Sequence, residues 1–113
     1  MKVILIMMKK TKGRRHKLSI YTNNEIDKNL EILSGWETDY KTIYKNFLFA
    51  NFNDATGFVL KVGFTAEKLD HHPDILLHSW NNVKINISTH SKNAITFKDF
   101  ELAQIIEKIS LSS

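Results

Sequence analysis

Apolar residues recur at steps of three and four in three stretches of the chain and at steps of two in between. Ile26, Leu30 and Leu33 follow Thr22 to Glu25, a capping box in which the threonine accepts from first-turn amides and the glutamate reaches back. This predicts a first helix of about three turns, with Gly35 at the left-handed position that ends it. Trp36 to Asp39 and Lys41 to Phe49 are rich in Thr, Tyr, Ile and Phe and read as an antiparallel hairpin, Phe47 and Phe49 sharing one face. After Asn51, an N-cap, the positions Phe52, Ala55, Val59, Val62, Ala66 and Leu69 predict a second helix ending near Leu69 or Asp70, before Pro73. Gly57 and Gly63 weaken that helix by about 1 kcal/mol each relative to alanine, which points to close packing against a sheet or a partner. Ile75 to Trp80 and Val83 to Thr89 predict a second hairpin turning at Asn81 and Asn82. Thr96 to Asp99 opens a last helix whose stripe is Leu102, Ile106 and Ile109.

The order helix, strand, strand, helix, strand, strand, helix is an α+β class pattern. Its natural solution is a four-stranded antiparallel sheet with helices packed on one face, because a sheet with one apolar face must cover it. At 113 residues and 42% hydrophobic content the chain is sized for one core. Charge divides it unevenly. Residues 1–17 carry seven lysines and arginines and no acid; of sixteen basic residues nine remain against twelve acids, a net −3 over residues 18–113. The expected organisation is therefore a basic, flexible N-terminal extension over 1–17 and a single domain over 18–113. A short basic tail is more often solvated than bound, so nucleic acid is not an expected partner. The apolar stretch Val3 to Met8 precedes the basic cluster and is too short for a secretory signal or a membrane span, so a cytoplasmic location is expected; Met7 and Met8 offer alternative starts. With no cysteine, thiolate chemistry and Cys-based zinc sites are excluded.

The chemistry concentrates between Glu67 and His90. Glu67 and His71 are four apart and share a helix face if the second helix carries one more turn, so the carboxylate can orient or charge the imidazole. Glu67 and Asp70 stand near a helix C-terminus, where the macrodipole disfavours anions. His90 ends the fourth strand, and the hairpin can return it toward His71 and His72. Imidazoles, with an ordinary pKa of about 6.5, both give and take protons near neutrality. A metal site is the rival, but adjacent histidines diverge on a helix or strand and no HExxH pattern is present, so no metal is expected. Asp99 serves first as the capping residue of the last helix. His16 and His78 are expected at the surface, and Trp36 and Trp80 as core or pocket-wall aromatics.

An acidic residue, three positions, His-His-Pro, an aromatic, then an alternating strand closing on Thr-His is a pattern that resembles the pterin-4a-carbinolamine dehydratase family, also called the dimerization cofactor of a hepatocyte nuclear factor. Here it runs through Glu67, His71, His72, Pro73, Trp80, Val83, Ile85, Ile87, Thr89 and His90, with further likeness at Gly35 and Trp36, Gly57 and Phe58, and Thr96 to Ala103. The likeness spans Leu18 to Ile109. Three features depart: one extra residue between Pro73 and Trp80, Ile75 in place of a tryptophan, and Ser91 to Ala94 in place of a Gly-rich turn. The resemblance implies dehydration of a 4a-hydroxytetrahydropterin to the quinonoid dihydropterin, without metal or organic cofactor, in recycling the cofactor of an aromatic amino-acid hydroxylase. It implies His71 and His90 as general acid and base, His72 as a binding and orienting group, Asp70 and Ser88, Thr89, His90 and Ser91 as lining of the pterin site, and Glu67 and Asp99 as supporting groups. It also implies a homodimer or homotetramer built by helix packing. The alternative is a non-catalytic dimerisation or regulatory module on the same fold.

Overall fold

The computed structural model describes residues 18–112, so the basic extension expected over 1–17, with His16 and the alternative starts, lies outside the described residues. Helix α1 (Asn23–Leu30) leads to strands β1 (Glu37–Thr38) and β2 (Ile43–Leu48), helix α2 (Phe52–Leu69), strands β3 (Asp74–His78) and β4 (Asn82–Ile87), and helix α3 (Phe97–Leu111). The strands form one antiparallel sheet in the order β1-β2-β4-β3. This is the expected α+β order. No helix among the described residues is long and apolar enough to cross a membrane.

The period-two pattern places the core. Val83, Ile85 and Ile87 of β4 are buried while Lys84 between them is exposed, and β2 buries Ile43 and Phe47 on the same face. Against that face pack Ile26 from α1, Ala55, Phe58 and Val62 from α2, and Phe100, Leu102, Ala103 and Ile106 from α3. Phe58 is the centre of an aromatic group, its ring centroid 4.9 Å from Phe47 and 4.8 Å from Phe49.

Both capping boxes form. Thr22 Oγ1 accepts from Glu25 N–H while Thr22 N–H donates to Glu25 Oε1, and Thr96 and Asp99 make the equivalent reciprocal pair at α3. Asn51 caps α2 by accepting from Asp54 N–H. Where the chain departs from expectation, a competing interaction explains it. Helix α1 is 8 residues long and does not reach Gly35. Beyond it Glu31, Ile32 and Leu33 donate to carbonyls three residues back, a tighter winding that carries Leu33 into the core. Gly35 still takes a positive φ of 88°, and a Cβ there would lie 3.0 Å from the Lys45 side chain, which reaches over it to Ser34 O and Glu107. The buried stripe of α2 is Ala55, Phe58, Val62 and Ala66, so Phe58 belongs to it while Phe52 and Leu69 are exposed.

The β3–β4 reversal lies at Ser79 and Trp80, with φ of 49° and 55°, rather than at Asn81 and Asn82. Asn81 is committed elsewhere: its carbonyl accepts from Phe49 N–H and its side-chain amide donates to Phe49 O. Trp80 consequently sits at the hairpin tip, 62% exposed, which corrects the core or pocket-wall expectation. Trp36 is buried as expected and donates its indole N–H to Glu107. Apart from the local backbone of α2 and the adjoining residues, nothing described lies within 4 Å of a Cβ built on Gly57 or Gly63, so neither glycine serves packing against the sheet.

Two outcomes follow from this packing. Phe58→Ala should cost about 3–5 kcal/mol of unfolding free energy, measured by urea denaturation, because the aromatic cluster would be left around a cavity. In the β1–β2 loop, the main-chain N–H groups of Lys41 and Thr42, at 2.9 and 2.7 Å, hold the Asp39 carboxyl below its ordinary pKa. A depressed folded pKa contributes stability above the unfolded value that is lost as pH falls through the folded one. The gap in urea midpoint between wild type and Asp39→Asn should therefore be wider at about pH 7 than at about pH 2.

Candidate functional site

Antiparallel pairing of β3 with β4 sets Asp74 opposite Asn86, so the segment entering β3 and the segment leaving β4 lie at one end of the sheet. The first segment carries His71 and His72, the second Ser88, Thr89 and His90. The sequence alone left open whether these two segments meet.

The turn after α2 explains how adjacent histidines acquire different surroundings. Asp70 adopts the left-handed conformation (φ 53°, ψ 42°), its N–H donating to Glu67 O, and His71 N–H reaches back to Ala66 O. These two bonds make a Schellman end to the helix, with aspartate in the place usually held by glycine. The helix therefore carries no further turn, and Glu67 does not share a face with His71. Glu67 Oε1 lies 2.9 Å from His72 Nε2 instead, in an open pair whose side chains are 80% and 54% exposed. An exposed pair of this kind contributes about 0–1 kcal/mol.

His71 turns inward. Its side chain is 10% exposed, and Nε2 lies 2.7 Å from Oδ1 of Asp99, which is fully buried at the N-terminus of α3. The other carboxylate oxygen, Oδ2, accepts from Thr96 N–H and from the Thr89 hydroxyl, both at 2.9 Å. Thr89 and Thr96 are buried as well, with their hydroxyl oxygens 2.7 Å apart. One carboxylate thus joins the His71 segment, the end of the β4 segment and the cap of α3. A buried ion is tolerable only when paired and hydrogen-bonded, and here both oxygens are engaged.

His90 follows Thr89 directly and is exposed. It opens a tight turn closed by Asn93 N–H to His90 O and by the Thr89–Ala94 bridge, with Asn93 at a φ of 52°. Ser91 and Asp70 are exposed at the same end and Ser88 is half-buried. His78 stands apart, its Nε2 against Asn46 on the outer face of the sheet. Tyr21 is a neighbour that no sequence pattern marked: it stacks on Phe100 and donates its N–H to Ile95 O. Burial first, then the charges of Glu25 and Asp99, push its phenol pKa up, so it stays a neutral O–H beside the buried carboxylate. Thr96 was legible as a cap, but its link to Thr89 was not. Among the described residues no three His, Asp or Glu side chains are placed to hold a metal ion. The arrangement offers one imidazole held by a buried carboxylate, one imidazole paired with an exposed glutamate, and one exposed imidazole on a turn, which suits proton transfer to and from a ligand at this end of the sheet.

Comparison with known proteins places the chain in a family. The family profile described as Pterin 4 alpha carbinolamine dehydratase matches residues 19–109. A Prochlorococcus marinus protein provisionally named pterin-4-alpha-carbinolamine dehydratase is 45% identical over 92 residues, covering 81% of this chain and 96% of that protein. A Sulfolobus acidocaldarius protein with the same provisional name is 42% identical over 86 residues, covering 76% and 93%. Among solved structures, a transcriptional coactivator/pterin dehydratase from Brucella melitensis superposes with a TM-score of 0.76 at 33% identity, covering 81% of this chain and 99% of its own. A pterin dehydratase-like RuBisCO assembly factor of the alpha-carboxysome shares the fold at 14% identity, with a TM-score of 0.55. With the profile spanning all but the edges of the described residues, the chain belongs to the pterin-4a-carbinolamine dehydratase family.

Proposed function

We propose that the protein dehydrates a 4a-hydroxytetrahydropterin to the quinonoid dihydropterin and water. The observation that carries this is the Asp99 carboxylate holding His71 on one side and Thr89, the neighbour of His90, on the other. The chemistry needs two proton transfers. The ring nitrogen beside the carbinolamine carbon loses a proton, and the departing hydroxyl gains one and leaves as water, so the substrate is neither oxidised nor reduced. His71 and His90 are the groups for these transfers, while His72, positioned by Glu67, binds and orients the ring, and Asp70, Ser88 and Ser91 line its site. The reaction requires no metal or organic cofactor. A cytoplasmic role in recycling the cofactor of an aromatic amino-acid hydroxylase fits this product.

The direct test is to mix the purified protein with freshly generated 4a-hydroxytetrahydropterin and follow the quinonoid product. His71→Ala and His90→Ala should each slow turnover by about 10²-fold or more while the fold is retained. Wild-type rates in both variants would remove the mechanism. The purely regulatory module instead predicts no turnover in the wild type and a stable protein complex that survives both substitutions.

Self-association through α2 is part of the same proposal. Leu60 and Phe64 are exposed on this helix, and the space beside Gly57 and Gly63 is filled by none of the described residues. Two helix glycines that cost about 1 kcal/mol each and pack against no other described element are explained by a second copy approaching closely. Sedimentation should show a dimer or tetramer for wild type and a smaller species for Phe64→Glu. A wild-type monomer at micromolar concentration would discard this part.

A further inference from the structure

The hydrogen bonds around Asp99 have a direction that can be deduced from proton counting. Lys98 N–H can only donate, and it donates to Thr96 Oγ1 at 3.2 Å. Each threonine hydroxyl owns one proton. The Thr89 proton goes to Asp99 Oδ2, so Thr89 has none left for Thr96, and the 2.7 Å contact between the two hydroxyls must be donated by Thr96. The sequence of donors is then fixed: Lys98 N–H to Thr96, Thr96 to Thr89, Thr89 to Asp99. Thr96 N–H, which also can only donate, reaches the same Oδ2. Every proton on this side points at the carboxylate. An ionised carboxylate accepts only, so its remaining partner, His71 Nε2, must be the donor. A neutral ring is thereby held with its proton on Nε2 and its lone pair on Nδ1.

We propose that Thr89 is a positioning residue rather than a substrate contact: its buried hydroxyl relays the polarity of the α3 N-terminus to Asp99 and so fixes the tautomer and orientation of His71. Its side chain is almost wholly buried and its one proton is spent inside the protein, which leaves nothing to offer a pterin. A carboxylate that holds an imidazole in one tautomer acts on rate without touching substrate. The effect on turnover rests on the dehydratase reading above; the tautomer does not.

The experiment compares Thr89→Val, which keeps the volume and removes the proton, with Thr89→Ser, which keeps the proton. Nitrogen-15 spectra of the His71 ring, recorded where it is neutral, should show Nε2–H as the dominant form in wild type and Thr89→Ser and a mixture in Thr89→Val, where a carboxylate short of one donor on Oδ2 can swing out of line with the ring. Turnover should fall by about 10-fold in Thr89→Val with KM within about 2-fold, and Thr89→Ser should stay within about 3-fold of wild type. A KM increase with kcat intact would mean that Thr89 touches substrate and would overturn the proposal. So would equal damage in serine and valine variants, which would indicate methyl packing. Asp99→Asn supplies a second variant should Thr89→Val fail to fold. Its oxygen stays with the fixed donors Thr96 N–H and Thr89, its NH₂ faces His71, and the ring must invert to the Nδ1–H form; an unchanged tautomer there refutes the directional chain. If wild type lacks dehydratase activity, the spectra still decide the tautomer question, and the two failures remain distinct.

Discussion

The Asp99 carboxylate is the constraint on which the site depends. It has no exposed surface, and an ionised group in that position is stable only if donors surround it. Those donors come from three places distant in sequence: the cap of α3, the segment after β4 and the segment after α2. Satisfying one buried charge therefore ties these elements together. The position also suits the charge, since the first turn of a helix presents unpaired N–H groups and the positive end of the macrodipole. Removing the carboxylate would leave a buried threonine hydroxyl, a main-chain N–H and an imidazole competing for partners, so geometry and stability are coupled at this point.

The rest of the fold supports that coupling. Burial of β2 and β4 side chains against α2 and α3 fixes the sheet register, and that register puts the beginning of β3 beside the end of β4. A slip of one residue would turn Val83, Ile85 and Ile87 to solvent, so the apolar pattern that makes the core also aligns the polar segments at its edge. At the other edge, Glu107 of α3 accepts from both Trp36 and Lys45, joining the α1–β1 connection to the last helix. The two ends of α3 thus hold different parts of the chain: Asp99 gathers the site and Glu107 closes the opposite corner.

Local rules with short reach were legible in the sequence. The capping boxes at Thr22 and Thr96, the N-cap at Asn51 and the alternation in β4 all depend on neighbours within a few residues, and each formed as expected. What was misplaced depended on contacts across the fold. The β3–β4 turn moved because Asn81 pairs with Phe49, 32 residues away. The last turn of α1 tightened because Leu33 is needed in the core, and Phe58 was overlooked because its value comes from Phe47 and Phe49 on a different element. For the site, spacing could nominate histidines and carboxylates but not partners: Glu67 lies four residues from His71 yet contacts His72, while His71 contacts Asp99, 28 residues on. The family resemblance supplied the grouping that spacing could not.

That exchange of partners has one local cause. Had Asp70 remained helical, His71 and His72 would have continued around the helix axis, about 100° apart, with Glu67 one turn below His71. The left-handed residue reverses the chain instead, sending His71 toward the buried end of α3 and leaving His72 in solvent beside Glu67. A single non-glycine residue with positive φ is tolerable here because aspartate is among the residues that enter this region at low cost. The consequence is a division between two chemically identical side chains. One is immobilised by a buried charge and can keep a fixed tautomer; the other rests in a weak exposed pair that can reorganise around a ligand at small energetic cost. Adjacent identical residues therefore acquire unequal properties from one backbone dihedral pair, without any difference in the side chains themselves.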